Sequence, residues 1–205
     1  MNALQSLINN DFKGAMDYAS YRSLIDTLHE QGKVTGPTQT PELLEYSKLN
    51  VHRMDRWDKH AAFSERTVET VKGLDRSLDI LVITEGWCGD AAQIVPVIEK
   101  LSKLSDKIRT HYILRDENLE IMDMFLTNGK SRSIPIFVII ENGQVIGKFG
   151  PRPVPAQALI DQLKAENAGM DVVKEKLHLW YARDKHKALE EEFVEVLTHL
   201  PEAAV

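Results

Sequence analysis

The sequence predicts an α/β fold: a central, mixed four-stranded sheet flanked by helices, with a helical extension before it and a C-terminal helix after it. Short β-branched runs alternate with segments of helical period in the order β-α-β-α-β-β-α. Parallel crossovers come first, and an Asn-Gly turn predicts that the last two strands form an antiparallel hairpin. The 205 residues suffice for one domain of ordinary size with attachments.

The N-terminal extension, residues 1–64, is predicted to be helical. Apolar side chains at spacings of three and four indicate a first helix, which Gly32 ends. Thr40 can cap the next helix, and Pro41 then stands at the first helical position, where its missing N–H costs nothing. The helices predicted before the sheet are 16–31, 41–60 and 64–73.

The central domain, residues 65–167, carries the strands. The β-branched run over residues 80–84 is typical of a strand buried on both faces. Asn142 and Gly143 form the turn of the hairpin. The predicted strands are 80–84, 109–114, 135–140 and 145–149, and the helices between and after them end near residues 104, 126 and 167.

The C-terminal extension, residues 168–205, is predicted to be helical from 170 to 200. Apolar residues at intervals of four, three and four form a stripe, which consists of Leu189, Phe193, Val196 and Leu200. Two interpretations of this stripe are open. It either packs against the same chain or forms the interface of a homodimer.

The composition excludes several classes of protein. A net charge of −6 argues against a nucleic-acid-binding protein. The longest apolar run has seven residues, whereas a membrane-spanning helix needs about 20, and no signal peptide is evident. The one cysteine, Cys88, excludes an intrachain disulfide and a cysteine-based zinc cluster, and the scattered histidines support no metal site. We therefore expect a cytoplasmic protein with no metal or bound cofactor.

Four positions in the central domain carry a resemblance. Trp87-Cys88-Gly89 stands between the first strand and its helix, Pro96 follows inside that helix, Pro135 begins the third strand, and Gly150 follows the fourth. This arrangement resembles the thioredoxin superfamily over about residues 65–167. The resemblance implies a cis-proline at Pro135 that faces Cys88, and a partner surface formed by Trp87, Gly89, Asp90, Ile134 and Pro135.

A wider set of segments is similar to a bacterial group of thioredoxin-like proteins that have a single active-site cysteine. This second resemblance covers roughly residues 35–165. The segments that carry it are Thr35-Gly36, Leu49-Asn50-Val51-His52-Arg53-Met54, Gly86-Trp87-Cys88-Gly89-Asp90-Ala91-Ala92-Gln93, Leu114-Arg115-Asp116-Glu117-Asn118, Leu126-Thr127-Asn128-Gly129 and Gly150-Pro151-Arg152-Pro153.

Cys88 is predicted to be a reactive thiol. A cysteine at a helix N-terminus has its thiolate stabilised by the helix dipole and by free N–H groups, which lowers its pKa. The sequence departs from the thioredoxin motif, because Ala91 replaces the second cysteine and Asp90 the usual proline. Val82 occupies the position of the buried acid. Without a second thiol the chain cannot release itself from a mixed disulfide, so it is not a self-sufficient dithiol reductase.

Three functions are compatible with these residues. The first is a monothiol redox protein whose Cys88 forms mixed disulfides with a protein or small-molecule disulfide, while an external low-molecular-weight thiol completes the cycle. The second is a redox-inactive binding module that holds a peptide or partner protein on the same surface. The third is iron–sulfur assembly with an external thiol, as in monothiol glutaredoxins. It has the least support of the three, because Trp-Cys-Gly-Asp-Ala differs from the motif of those proteins.

Several basic residues are predicted to lie at the same rim as the cysteine. Arg115, Arg132 and Arg152 either form an anion site that lowers the pKa of Cys88 or pair with nearby carboxylates in a network that supports the loops. Arg53, together with Arg56 and His60, forms one face of a helix. That face is either a lid over the rim or solvated surface, and we favour solvated surface.

Overall fold

The computed structural model describes residues 2–201; residue 1 and residues 202–205, the ends of the two predicted extensions, lie outside the described part. The elements follow in the order α1 (Ala3–Asn9), α2 (Tyr18–Glu30), α3 (Pro41–His60), α4 (Glu65–Lys72), β1 (Leu78–Thr84), α5 (Gly89–Ser102), β2 (Ile108–Leu114), α6 (Leu119–Met122), β3 (Ile136–Glu141), β4 (Gln144–Phe149), α7 (Val154–Ala165), α8 (Met170–Asp184) and α9 (Lys187–Thr198). Short 3-10 turns stand on either side of α6.

The sheet is mixed, with strand order β2-β1-β3-β4. Strand β1 pairs in parallel with β2 and antiparallel with β3, and β3 pairs antiparallel with β4. The four residues Ile80, Leu81, Val82 and Ile83 of the central strand are fully buried, because helices cover both faces of the sheet. The predicted α/β fold class and the mixed four-stranded sheet are confirmed.

The N-terminal extension packs directly on the sheet. Thr40 caps α3 by accepting a hydrogen bond from the N–H of Leu43, and Pro41 is the first residue of that helix. Met16 forms a backbone bridge with Tyr112 of β2, whose ring stacks on Tyr21 of α2 at 5.4 Å between centroids. Helix α1 was not predicted from the sequence.

The C-terminal extension contains two helices where the sequence predicts one. The chain breaks between α8 and α9 at Lys185 and His186, which both adopt left-handed conformations with φ of 52° and 62°. The apolar stripe of α9 packs on the same chain, since Phe193 is fully buried and its ring lies 5.9 Å from that of Phe149 in β4. The homodimer stays a prediction. Within residues 2–201 no helix is long and apolar enough to cross a membrane.

Gly150 is the position of closest backbone approach near the predicted partner surface. Its φ is +100°, and a Cβ at this position would lie 2.5 Å from the carbonyl oxygen of Pro135. We expect Gly150→Ala to lower the free energy of unfolding by about 2–5 kcal/mol. The alanine would have to adopt a positive φ, and its Cβ would clash with the carbonyl oxygen of Pro135.

Chemical denaturation measures this difference. Gly169→Ala is the matched control, because Gly169 has an ordinary φ and no atom within 4 Å of an added Cβ. A Gly150→Ala protein as stable as the Gly169→Ala protein would contradict the prediction.

Candidate functional site

Cys88 caps α5 and lies against Ile134, two residues before β3 begins. Its Sγ accepts a hydrogen bond from the N–H of Ala91 at 3.5 Å and donates one to the carbonyl oxygen of Ile134 at 3.3 Å. The peptide bond between Ile134 and Pro135 is cis. The structure therefore brings together the residues Trp87, Cys88, Gly89, Ile134 and Pro135 around one thiol.

The thiol itself is buried. Only 9% of Cys88 is exposed, and burial raises the pKa of the thiol to about 12, with a further contribution from the neighbouring Asp90 carboxylate. The N–H groups of Ala91 and Asp90 and the charge of Arg152 oppose this rise but do not overcome it. The expectation of a lowered pKa is thus wrong for this conformation, because desolvation of the thiolate outweighs the helix N-terminus.

Asp90 is a buried carboxylate rather than part of an open partner surface. Its Oδ2 lies 2.7 Å from a guanidinium nitrogen of Arg152, in the loop after β4. Its Oδ1 accepts a 2.7 Å hydrogen bond from the hydroxyl of Tyr181 in α8. Burial raises the pKa of Asp90, whereas Arg152 and Tyr181 hold it down. Three separate segments of the chain meet at this carboxylate.

Helix α8 lies over the N-terminus of α5. A Cβ added to Gly89 would lie 3.1 Å from Cε1 of His178 and 3.8 Å from a guanidinium nitrogen of Arg53, so glycine permits the close approach of both side chains. Asn50 holds this arrangement, because its Oδ1 accepts from Arg53 and its amide donates to the carbonyl oxygen of Gly86. Arg53 thus belongs to the site, whereas Arg56 and His60 of the same predicted face are exposed, as expected for solvated surface.

The other two predicted arginines are paired with carboxylates. Arg115 lies over the ring of Trp87 at 4.8 Å and forms an ion pair with Asp116 at 2.7 Å. Arg132 forms an exposed pair with Asp123 at 2.6 Å. Arg115 and Arg132 therefore belong to carboxylate pairs that support the loops, whereas the charge of Arg152 lowers the pKa of Cys88.

Glu85, one of the carboxylates that the sequence predicts near the arginines, is a buried acid. It follows β1, is fully buried, and accepts a hydrogen bond from the N–H of Asp116 at 2.9 Å. Burial raises the pKa of its carboxyl group. Val82 is apolar and fully buried, as expected from the sequence. Within the described residues, no group of three or more His, Cys, Asp or Glu side chains could hold a metal ion.

These features define a class of protein: a thioredoxin-like domain with a single cysteine at the start of a helix, beside a cis-proline. A sequence model of the thioredoxin family matches residues 36–164, which is more than half of the chain. The chain belongs to the thioredoxin family. Thioredoxin-family proteins need no cofactor.

Two solved structures have a similar fold. One is a protein of unknown function from Pseudomonas aeruginosa, with a TM-score of 0.56 and 14% identity over 91% of this chain and 94% of that one. The other is an HIV epitope scaffold, with a TM-score of 0.55 and 16% identity over 97% of this chain and 98% of that one. Among curated proteins, none matches this chain. These likenesses establish the fold alone.

His178 gives the site a measurable pH response. Burial, together with the charge of Arg53, lowers its pKa from the ordinary 6.5 to about 4. Between these two values the unfolded chain binds more protons than the folded protein, so stability falls as the pH drops from 6.5 towards 4. We expect His178→Asn to reduce this pH dependence.

Denaturation curves across that pH range, together with an NMR titration of the His178 ring, test this expectation. His52→Asn is the control, because His52 is an exposed residue of α3. A His178 ring that titrates at its ordinary value would show that α8 does not bury it in solution.

Proposed function

We propose that this protein is a monothiol thiol–disulfide exchange protein with Cys88 as its nucleophile. One observation carries the proposal: Sγ of Cys88 lies at the N-terminus of α5, within hydrogen-bond distance of the N–H of Ala91 and the carbonyl oxygen of Ile134. A thiolate formed there accepts hydrogen bonds from the N–H groups of the helix. A partner chain beside Ile134 and Pro135 would bring its own sulfur to the same place.

The exchange has two steps, and each conserves atoms and charge. The Cys88 thiol first gives its proton to water, and the thiolate displaces one sulfur of a disulfide R–S–S–R′, which forms Cys88–S–S–R and releases R′S⁻. The thiolate of an external low-molecular-weight thiol then attacks the sulfur of R, which releases the Cys88 thiolate. The external thiol replaces R′ in the disulfide, and the Cys88 thiolate takes back a proton from water and so returns to its starting state. Ala91 offers no second thiol, so the external thiol is required.

The carbonyl oxygen of Ile134 changes its role during the reaction. In the resting protein it accepts a hydrogen bond from the Cys88 thiol. Once Cys88 has lost that proton, the carbonyl is free to accept a backbone N–H from a bound partner. Trp87, Gly89 and Pro135 complete the surface on which a protein or small-molecule disulfide would bind. We place the protein in the cytoplasm, where small thiols are abundant and reduced.

A second candidate function is a redox-inactive binding module. The pKa of about 12 favours it, because roughly one thiol in 10⁵ is ionised at neutral pH when the pKa is that high. In this interpretation Cys88 is an inert, buried side chain and the surface around Trp87 holds a peptide or partner protein without covalent chemistry. The two candidates differ in whether Cys88 reacts at all in the folded protein.

Incubation with 2-hydroxyethyl disulfide separates the candidates. We expect mass spectrometry to detect one adduct on Cys88, absent from Cys88→Ser and removed by added 2-mercaptoethanol. We also expect the rate of alkylation to keep rising with pH beyond about 8.5, the pKa of a free cysteine. Helix α8 covers the site, so the exchange of its backbone amides with solvent sets the time scale on which the site opens. If Cys88 forms no adduct over a longer time than that exchange takes, the redox proposal fails and the binding module replaces it.

Restoring a second thiol tests the monothiol mechanism from the other side. In Ala91→Cys the new thiol lies one helical turn beyond Cys88 and can attack its mixed disulfide. We expect the adduct to disappear without added 2-mercaptoethanol, with formation of an internal disulfide. Ser102→Cys is the matched control, since Ser102 is buried in the same helix but stands at its opposite end, out of reach of Cys88. An adduct as long-lived in Ala91→Cys as in Ser102→Cys would contradict the mechanism.

A further inference from the structure

We infer that α8 (Met170–Asp184) is a gate over Cys88, closed by the hydrogen bond from Tyr181 to Asp90, and that the thiol becomes reactive when α8 leaves the core while the sheet stays folded. The inference rests on the proposed function, because it describes how access to the same thiol is controlled. It requires that α8 cover the site, that it be able to move separately, and that the site tolerate its departure.

The covering contacts come from one side of α8. Tyr181 is buried and donates to Oδ1 of Asp90 at 2.7 Å, and the nearby Cys88 is one of the groups that raise the pKa of the Tyr181 hydroxyl. His178, one turn earlier, lies against Gly89. Two side chains of this one helix therefore cover Gly89 and Asp90, the residues that directly follow Cys88.

The residues on either side of α8 can act as hinges. Asn167, in the preceding loop, has a φ of 55°, and Lys185 and His186, directly after the helix, have φ of 52° and 62°. Such conformations are uncommon for residues with side chains and cost free energy that the surrounding structure must supply. Undocking of α8 gives these residues access to ordinary backbone angles, which favours movement of the helix as a unit.

Helix α9 has its own anchors and does not need α8 to stay in place. Phe193 packs against Phe149 of β4 with 5.9 Å between ring centroids. Glu190 accepts a hydrogen bond from the N–H of Ser64 at 2.8 Å, at the start of α4. The sheet domain and α9 therefore remain attached to each other when α8 moves.

The contacts that dock α8 are limited to one narrow face. Val173, Leu177 and Tyr181 are buried at spacings of four, and Lys174 contacts the hydroxyl of Tyr46 in α3. On the opposite side Val172 and Leu179 are exposed. A helix with so small an apolar face opens more easily than the central strands, whose residues are buried on both sides.

Opening does not leave the buried carboxylate without a partner. When Tyr181 leaves, Asp90 keeps its ion pair with Arg152 at 2.7 Å, and water can reach the oxygen that the phenol occupied. Opening also removes much of the burial that raises the pKa of Cys88, whereas the N–H groups of Ala91 and Asp90 and the charge of Arg152 remain to stabilise the thiolate. The open state is thus both more accessible and more reactive.

Two rates measured on the full-length wild-type protein test the gate without any mutation. The alkylation rate of Cys88 in the folded and in the urea-unfolded protein gives a protection factor for the thiol, and hydrogen exchange gives one for each backbone amide. We expect the thiol to be protected to the same degree as the amides of α8 and far less than those of β1 and β3. Equal protection of the thiol and the strand amides would show that access needs global unfolding, which overturns the gate.

Tyr181→Phe removes the hydrogen bond to Asp90 that closes the gate but keeps the aromatic ring. A lost hydrogen bond to a charged group corresponds to an increase of about 10- to 100-fold in the opening equilibrium. We expect the alkylation of Cys88 and the exchange of the α8 amides to accelerate together by this factor. Leu179→Ala is the matched control, because Leu179 lies on the exposed side of the same helix. Unchanged rates in Tyr181→Phe, or the same acceleration in Leu179→Ala, would overturn the inference.

The failure of the gate and the failure of the proposed function give different results. If Tyr181→Phe alkylates faster but forms no adduct with 2-hydroxyethyl disulfide, α8 is a gate over a surface that carries no exchange chemistry. If the wild-type protein and Tyr181→Phe form that adduct at the same rate, the exchange function stands and the gate does not.

Discussion

The burial of the Asp90 carboxylate at the start of α5 is the constraint on which the site depends. A charge removed from water must be paired and hydrogen-bonded, or the group loses its charge. Here the partners are Arg152, from the loop after β4, and Tyr181, from α8. The C-terminal part of the chain is therefore tied to the N-terminus of the helix that carries Cys88, and the domain and its extension form one site.

The same burial decides the state of the cysteine. A helix N-terminus stabilises a negative charge by about 0.3–1 kcal/mol in ordinary settings. The rise of the pKa of Cys88 from the ordinary value of about 8.5 to about 12 corresponds to about 5 kcal/mol against the thiolate. Desolvation exceeds the helix contribution severalfold, so the position of the cysteine in the fold does not by itself make it reactive. The burial of the thiol therefore affects its pKa more than its position at the helix N-terminus does.

The sequence predicts the sheet well because its signals are local. The β-branched run of β1, the Asn-Gly hairpin and the Thr40 cap each depend on neighbouring residues. The break between α8 and α9 has no such signal, since Lys185 and His186 take left-handed angles without a glycine or proline. Arg53 lies at the site, as the lid interpretation predicts, whereas Arg56 and His60 are exposed, as the solvated interpretation predicts. The hydrogen bond that ties α8 to the start of α5 joins Tyr181 to Asp90, 91 positions earlier in the sequence, and no local pattern records that contact.

The shared carboxylate also bears on how the chain can evolve. Asp90, Arg152 and Tyr181 are far apart in sequence, yet the guanidinium and the phenol both bond to the one carboxylate. Loss of the acid leaves a guanidinium and a phenol without their partner, and loss of the arginine leaves a poorly compensated charge in the core. Substitutions at these three positions are therefore expected to occur together among homologous chains. Lineages that drop the acid would lose the tie between α8 and the start of α5 and keep only the apolar contacts of that helix.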